Sequence, residues 1–201
     1  EQEADYFQIL SPQSKVYNLY GNFEYHPQPI TGNHKMVFLS GNNEFNQNGI
    51  KWFLMKVFPL VRKIIPDAEL LVGGSICKVL PTLGSIEGVK ALGYVDNPAD
   101  FYALADVAIN PVYQGTGLKI KTFESISFDK VTIVHSHSMA GIYDKANAPL
   151  FASDSPDEWV RYLQELWSDS SKIATFKRAN KDYLKRMNSF ILSEYKRFLN
   201  S

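Results

Sequence analysis

Short apolar runs that alternate with segments of helical character set what this chain can fold into. The runs fall at residues 36–41, 69–74, 89–95, 107–110 and 131–134, with a shorter sixth at 148–152. Most are continuously apolar, as strands covered on both faces are, and glycine, proline or polar clusters bound them. Helical patterns lie between them at 50–65, 77–83 and 98–105, and after the fourth run to residue 128. A further helix starts where Asp154, Pro156, Asp157 and Glu158 gather a capping candidate, a first-turn proline and two acids. Parallel strands need a helical crossover, so this alternation predicts an α/β fold: a Rossmann-like, doubly wound parallel sheet with C-terminal helices. Residues 1–33, rich in Pro and Gly, read as a connector in which only 15–20 is strand-like. Residues 34–170 read as the sheet domain and 171–201 as a basic helix packing back on it.

Composition removes several function classes. Twenty-one basic and 21 acidic residues cancel, so there is no basic excess for a nucleic-acid surface. The single cysteine, Cys77, allows no internal disulfide and no Cys-rich metal site, which fits a reducing, cytoplasmic setting. Lys56, Arg62 and Lys63 interrupt the most apolar segment, far short of the roughly 20 residues of a membrane span. The chain opens Glu-Gln-Glu-Ala-Asp, with neither methionine nor leader pattern, as a fragment of a longer protein would. No Gly-Lys-Ser/Thr and no Gly-x-Gly-x-x-Gly is present, which argues against P-loop and dinucleotide chemistry.

Ligands on such sheets sit at the carboxyl ends of the strands. Five loops meet that description: 41–49, 73–75, 94–98, 113–121 and 135–141. The fourth carries the strongest chemistry. It runs from Asn110-Pro111 through Gly115-Thr116-Gly117 into Lys119, Lys121 and Glu124. Glycines let a phosphate approach the backbone, and helix N–H groups favour an anion. With a helix starting near Gly117, Gly117, Lys121 and Glu124 share one face. A lysine neutralises a diphosphate, and a carboxylate accepts hydrogen bonds from sugar hydroxyls. The plainer alternative is a solvated Lys121–Glu124 pair, worth roughly 0.2–0.5 kcal/mol, after an ordinary glycine turn. His135 and His137 lack the carboxylate company of a metal site and read as loop residues, with phosphate or sugar contact as the second reading.

Taken in order, Phe58-Pro59-Leu60, Pro66-Asp67-Ala68-Glu69-Leu70, Gly73-Gly74, Gly93-Tyr94-Val95-Asp96 and the 115–125 stretch resemble one family. It is the nucleotide-sugar-binding C-terminal domain of retaining glycosyltransferases with the GT-B fold, the group 1, family 4 type. The resemblance covers about residues 34–195. It implies one half of a GT-B fold, whose acceptor-binding half would precede residue 1, moving a sugar from a nucleotide-diphosphate donor to a polysaccharide or glycolipid acceptor without a metal or other cofactor. Residue by residue, it implies that Glu124 holds the ribose hydroxyls and that Lys119 and Lys121 stabilise the leaving diphosphate. Gly115, Thr116 and Gly117 would offer backbone N–H groups, Tyr94 and Val95 would pack the base, and Gly41 and Gly74 would let backbone approach the ligand. Gly117 stands where the family has its first motif glutamate, so that contact is missing or comes from elsewhere. After the first strand only Asn42, Asn43, Asn46, Gln47 and Asn48 stand where many members carry Arg and Lys. The rival expectations are a non-catalytic nucleotide-sugar-binding or signalling module, and a fragment of a GT-B-like sugar-nucleotide epimerase. For the full-length protein a peripheral membrane contact is the further expectation.

Overall fold

In a computed structural model, residues 2–17, 20–115 and 118–200 are described, the side chains of 2–5 excepted. Six strands, β1 Lys35–Leu39, β2 Glu69–Gly73, β3 Val89–Gly93, β4 Val107–Asn110, β5 Val131–Val134 and β6 Leu150–Ala152, form one sheet in the order β3-β2-β1-β4-β5-β6. Every neighbouring pair is parallel. The chain steps outward from β1 to β3, returns to the centre at β4, and steps outward the other way. The order therefore reverses between β1 and β4, the point beyond whose carboxyl ends sheets of this kind hold their ligand crevice.

Strand side chains alternate between the two faces, so the two covering layers differ in composition. Met36, Phe38, Leu70, Val72, Val107, Ile109, Val131 and Ile133 pack under one layer with Trp159 and Leu163. That layer contains α2 Glu44–Trp52, α3 Phe58–Ile64 and α6 Pro156–Ser168. Val37, Leu71 and Ala108 pack on the other face with Phe101 and Tyr102 of α4 Pro98–Tyr102. On that face, beside β5, lie α5 Ile120–Ser127 and α7 Ser170–Leu199, which bury Phe123 and Ile126 against Tyr183, Leu184, Met187 and Ile191. The remaining helix, α1 Gln2–Leu10, leaves Tyr6, Phe7, Ile9 and Leu10 exposed.

Several boundaries depart from the sequence expectation, each for a local reason. The helix expected from Ile50 begins at Glu44, because the Asn43 side chain accepts the Asn46 N–H at 2.9 Å and caps it. Gly49, expected in a loop, sits inside that helix, where a Cβ would lie 3.0 Å from the Pro111 carbonyl. The helix continues through a π-turn, Phe53–Val57, in which the Phe58 N–H reaches the Phe53 carbonyl five residues back. Pro59 follows immediately, with no N–H for an ordinary helical bond, and the π-turn absorbs that loss. The 77–83 segment is a 3-10 helix, Ser75–Leu83. Nothing in residues 15–17 and 20 is a strand, while Asn18 and Leu19 lie outside the described residues. α1 was not foreseen either: the apolar side chains described in it, Tyr6, Phe7, Ile9 and Leu10, are all exposed.

At the opposite, amino-terminal edge of the sheet, a buried charge network holds the segment that precedes β1. Asp106, wholly buried, accepts both the Thr31 N–H (3.0 Å) and hydroxyl (2.8 Å), together with the Gly32 N–H (2.8 Å). Lys177 of α7 lies 3.9 Å from Asp106 and 3.7 Å from Asp129, and donates to the Gln28 carbonyl at 2.8 Å. Lys130, buried beside it, donates to the Ala105 carbonyl at 2.9 Å. Burial and the neighbouring Lys177 charge push its ammonium down to about 8. Asp106→Ala should cost about 3–5 kcal/mol of unfolding free energy in a urea titration, because it strands three donors and removes one of the two carboxylates beside a buried lysine. A loss under about 1 kcal/mol would show that the network does not hold this edge together.

Candidate functional site

The crevice edge is built first by amides. Asn46, buried in the first turn of α2, donates from Nδ2 to the Gly41 carbonyl at 2.9 Å, and the Asn42 N–H donates to Ser75 Oγ at 2.9 Å. Gln47 reaches Asn42 at 2.9 Å, and Asn48 reaches Gln114 of the loop after β4 at 3.1 Å. The amide-rich run after β1 thus shapes and ties together two loops of the edge. Gly41 has open space where a Cβ would be. Gly74 does not: its φ is +88°, and a Cβ would meet the Ser40 carbonyl at 2.3 Å, so glycine is required by loop packing alone.

The loop after β4 is held from both sides. Lys119 Nζ donates to the Gly115 carbonyl at 3.1 Å, and His137 Nε2 meets the same carbonyl at 2.8 Å. Since a carbonyl only accepts, His137 carries its proton on Nε2 in this contact. Ser138 Oγ donates to the Val112 carbonyl at 2.7 Å, bolting the loop after β5 to the same strand exit. His135 accepts the His137 N–H at 3.2 Å, and its ring packs near Trp52 and Tyr113. Gly115 adopts φ +91°, and Phe45 lies 3.0 Å from where its Cβ would be. Thr116 and Gly117 lie outside the described residues.

The helix expected near Gly117 begins at Ile120, because Lys119 holds a non-helical ψ of 69°. Lys121 and Glu124, three residues apart within it, share a face. Burial lowers the pKa of both Lys119 and Lys121; for Lys121 the Glu124 carboxylate opposes that shift and Lys119 adds to it. Glu124 is raised: burial outweighs the hydrogen bond from Tyr102 and the charge of Lys121. These groups hold charge in a partly desolvated place, the condition under which an anion would gain most from the lysines.

Tyr102 was not singled out by the sequence reading. Its hydroxyl donates to Glu124 Oε1 at 3.0 Å, from a ring that is 2% exposed. Twenty-two residues and a strand separate the two, so no spacing signal links them. At the β3 end of the edge, Tyr94 is 86% exposed, while Val95 packs towards Phe101. The edge thus gathers Gly41, Gly115, Lys119, Lys121, Glu124, Tyr102 and His137, with Tyr94 and Val95 at its β3 end.

Ionised Glu124 is a cost to the folded state. Its folded pKa lies above the ordinary carboxylate value of 4.5. Below that value the carboxyl is protonated folded or unfolded and contributes nothing. The penalty grows as pH rises through the folded pKa and stays at its maximum above it. Glu124→Gln, which keeps an acceptor for Tyr102, should therefore unfold at a higher temperature than wild type at pH 7 and at the same temperature at pH 4. Thermal melts showing no gain at pH 7 would contradict the raised pKa.

A family model described as "Glycosyl transferases group 1" matches residues 33–169. An uncharacterised 44.6 kDa protein in the cps region of Klebsiella pneumoniae is 32% identical over 90 residues, 40% of this chain and 23% of that protein. TarM of S. aureus, solved as a mutant with fondaparinux, α-GlcNAc-glycerol and UDP, matches 100% of this chain and 43% of its own, with a TM-score of 0.75 at 14% identity. The C-terminal domain of a group 1 family protein, LpcC of Francisella tularensis, matches 82% of this chain and 87% of its own, with a TM-score of 0.52 at 13% identity. The chain thus spans under half the length of TarM and about a quarter of the Klebsiella protein.

Proposed function

Because the chain belongs to the group 1 glycosyltransferases, we propose that its crevice binds the nucleotide-diphosphate half of a sugar donor and that the whole protein transfers that sugar to an acceptor. The observation that carries this is the desolvated Lys121–Glu124 face, beside Lys119, at the carboxyl edge where strand order reverses. Glu124 accepts hydrogen bonds from the ribose hydroxyls. Lys119 and Lys121 face the diphosphate, with backbone N–H groups of the 115–117 loop, and Gly41 leaves room for the ligand on the other side. Tyr94 and Val95 border the base.

The bond from the sugar's anomeric carbon to the diphosphate oxygen breaks with its electron pair passing to the diphosphate. The acceptor hydroxyl forms the new bond, and its proton leaves with the phosphate product. Charge therefore builds on the diphosphate as the bond breaks, and preorganised ammonium groups stabilise it more in the transition state than before it. This route asks for no metal. The acceptor, a polysaccharide or glycolipid intermediate, is held mainly by a second domain preceding residue 1, with residues 1–33 connecting the two and the 171–201 helix packing back on the donor domain. No described helix is long and apolar enough to cross a membrane. The protein acts in the cytoplasm, with peripheral contact to a membrane when its acceptor is a lipid.

Calorimetric titration with UDP and with GDP tests the donor half of this reading. Glu124→Ala should weaken binding of the preferred nucleotide about 10-fold or more, the loss of hydrogen bonds to a charged group. Glu158→Ala, on α6, should leave it within about two-fold. Equal effects from the two substitutions, or no heat from either nucleotide at millimolar concentration, would contradict the assignment.

A further inference from the structure

We propose that Tyr102 is the positioning residue of ribose recognition, pinning one oxygen of Glu124 so that the other is presented to the sugar hydroxyls. The inference rests on the ribose role given to Glu124 and extends it to a residue on a different element.

A carboxylate that is to read two hydroxyls must not rotate freely about its last side-chain torsion, which is broad and soft. Glu124 is steadied on one side only. Oε1 accepts the Tyr102 hydroxyl at 3.0 Å, while among the described residues Oε2 accepts no hydrogen bond. The pinning donor is itself immobile. Tyr102 packs in the cluster of Val37, Leu71, Phe101 and Ala108, against the sheet, and its ring stacks on Phe128 with centroids 4.9 Å apart and planes 12° from parallel. Phe128 in turn stacks with His26 at 4.9 Å and 17°. The His26 N–H fixes that contact by donating to the Ser127 carbonyl at 2.8 Å. Three aromatic rings, from the segment before β1, from the end of α5 and from α4, thus stand behind one carboxylate oxygen.

The chemistry of the donor suits the task. A phenol is neutral, so it orients the carboxylate without cancelling the charge that makes it a strong acceptor. A lysine in that place would compete with the ligand for the same charge. Burial, then the Glu124 charge and hydrogen bond, hold the phenol well above its usual range, so it stays a donor wherever Glu124 is ionised. Removing only the hydroxyl oxygen leaves the ring and its stacking in place.

The discriminating readout is the preference for ribose, which a loss of general stability would not change. Titrate wild type, Tyr102→Phe and Glu124→Ala with UDP and GDP, each beside its 2′,3′-dideoxy counterpart, and take the ratio of the two dissociation constants. Wild type should prefer the ribonucleotide about 10-fold or more. Glu124→Ala should bring the ratio to about one. Tyr102→Phe should lower it several-fold while melting within about 4 °C of wild type. If Glu124→Ala abolishes the preference and Tyr102→Phe keeps it, or weakens both ligands equally, Tyr102 has no positioning role and the reading of Glu124 stands. If Glu124→Ala keeps the preference, the ribose role of Glu124 fails and the role of Tyr102 with it.

Discussion

Parallel strands cannot be joined at one edge, so every connection in this sheet must cross a face and return, and both faces end up covered. That constraint has one consequence that matters for ligands. Where the chain has gone outward from β1 to β3 and must come back to start β4, the helices that follow β1 and β4 cover opposite faces of the sheet, and the loops leading into them meet at the carboxyl edge, where Asn48 reaches Gln114. That arrangement is a property of the connectivity, independent of the side chains at the edge. Evolution of a particular binding chemistry then reduces to what those two loops and their neighbours carry. Here one is built from asparagine and glutamine, and the other leads into Lys119, Lys121 and Glu124.

The two edges of the sheet handle buried charge in opposite ways. At the amino-terminal edge, Asp106 takes hydrogen bonds from Thr31 and Gly32, and Lys177 stands between Asp106 and Asp129, so charges meet partners in closed geometry. Such a network adds little net stability over a well-packed apolar core but is expensive to break, which suits it to holding the 25–33 segment in one place. At the carboxyl edge Lys121 and Glu124 are desolvated with incomplete compensation, and Glu124 is raised as a result. Under the proposed function, that cost is the one a site for a charged ligand would carry. The segment before β1 touches both regimes: Thr31 and Gly32 are gripped at one edge, and His26 stacks behind Phe128 and Tyr102 towards the other.

Much of this was legible in the sequence because it depends on local pattern. Continuous apolar runs marked β1, β2, β4 and β5 within two residues at each end, since strands buried on both faces need no alternation, while the edge strands β3 and β6, with β3 largely exposed, carry shorter or interrupted runs. The chemistry of 115–124 was visible because glycines and charges lie within ten residues of one another. What was hidden depends on contacts distant in sequence. Tyr102 lies in a segment read only as a short helix, and only the fold brings its hydroxyl to Glu124. Asn43 and Asn46 looked like polar filler, because a cap and a loop clamp are recognised by geometry and not by composition. The start of α5 at Ile120 instead of Gly117 follows from the backbone of Lys119, which Gly-x-Gly spacing does not report. His137 was read as a loop residue, and its bond to the Gly115 carbonyl shows which loop it fastens.

The central claim is one of place: we propose that a nucleoside diphosphate sits at the carboxyl edge, beside the loops that follow β1 and β4. Amide chemical-shift mapping of the chain by two-dimensional NMR, on addition of UDP or GDP, tests it without any substitution. The account predicts shifts confined to Gly41, Asn42, Tyr94, Val95, Gly115, Lys119, Lys121, Glu124 and their immediate neighbours, with Thr31, Asp106 and Lys130 at the far edge unmoved. Shifts centred on the far edge, or a spectrum unchanged at millimolar nucleotide, would contradict it.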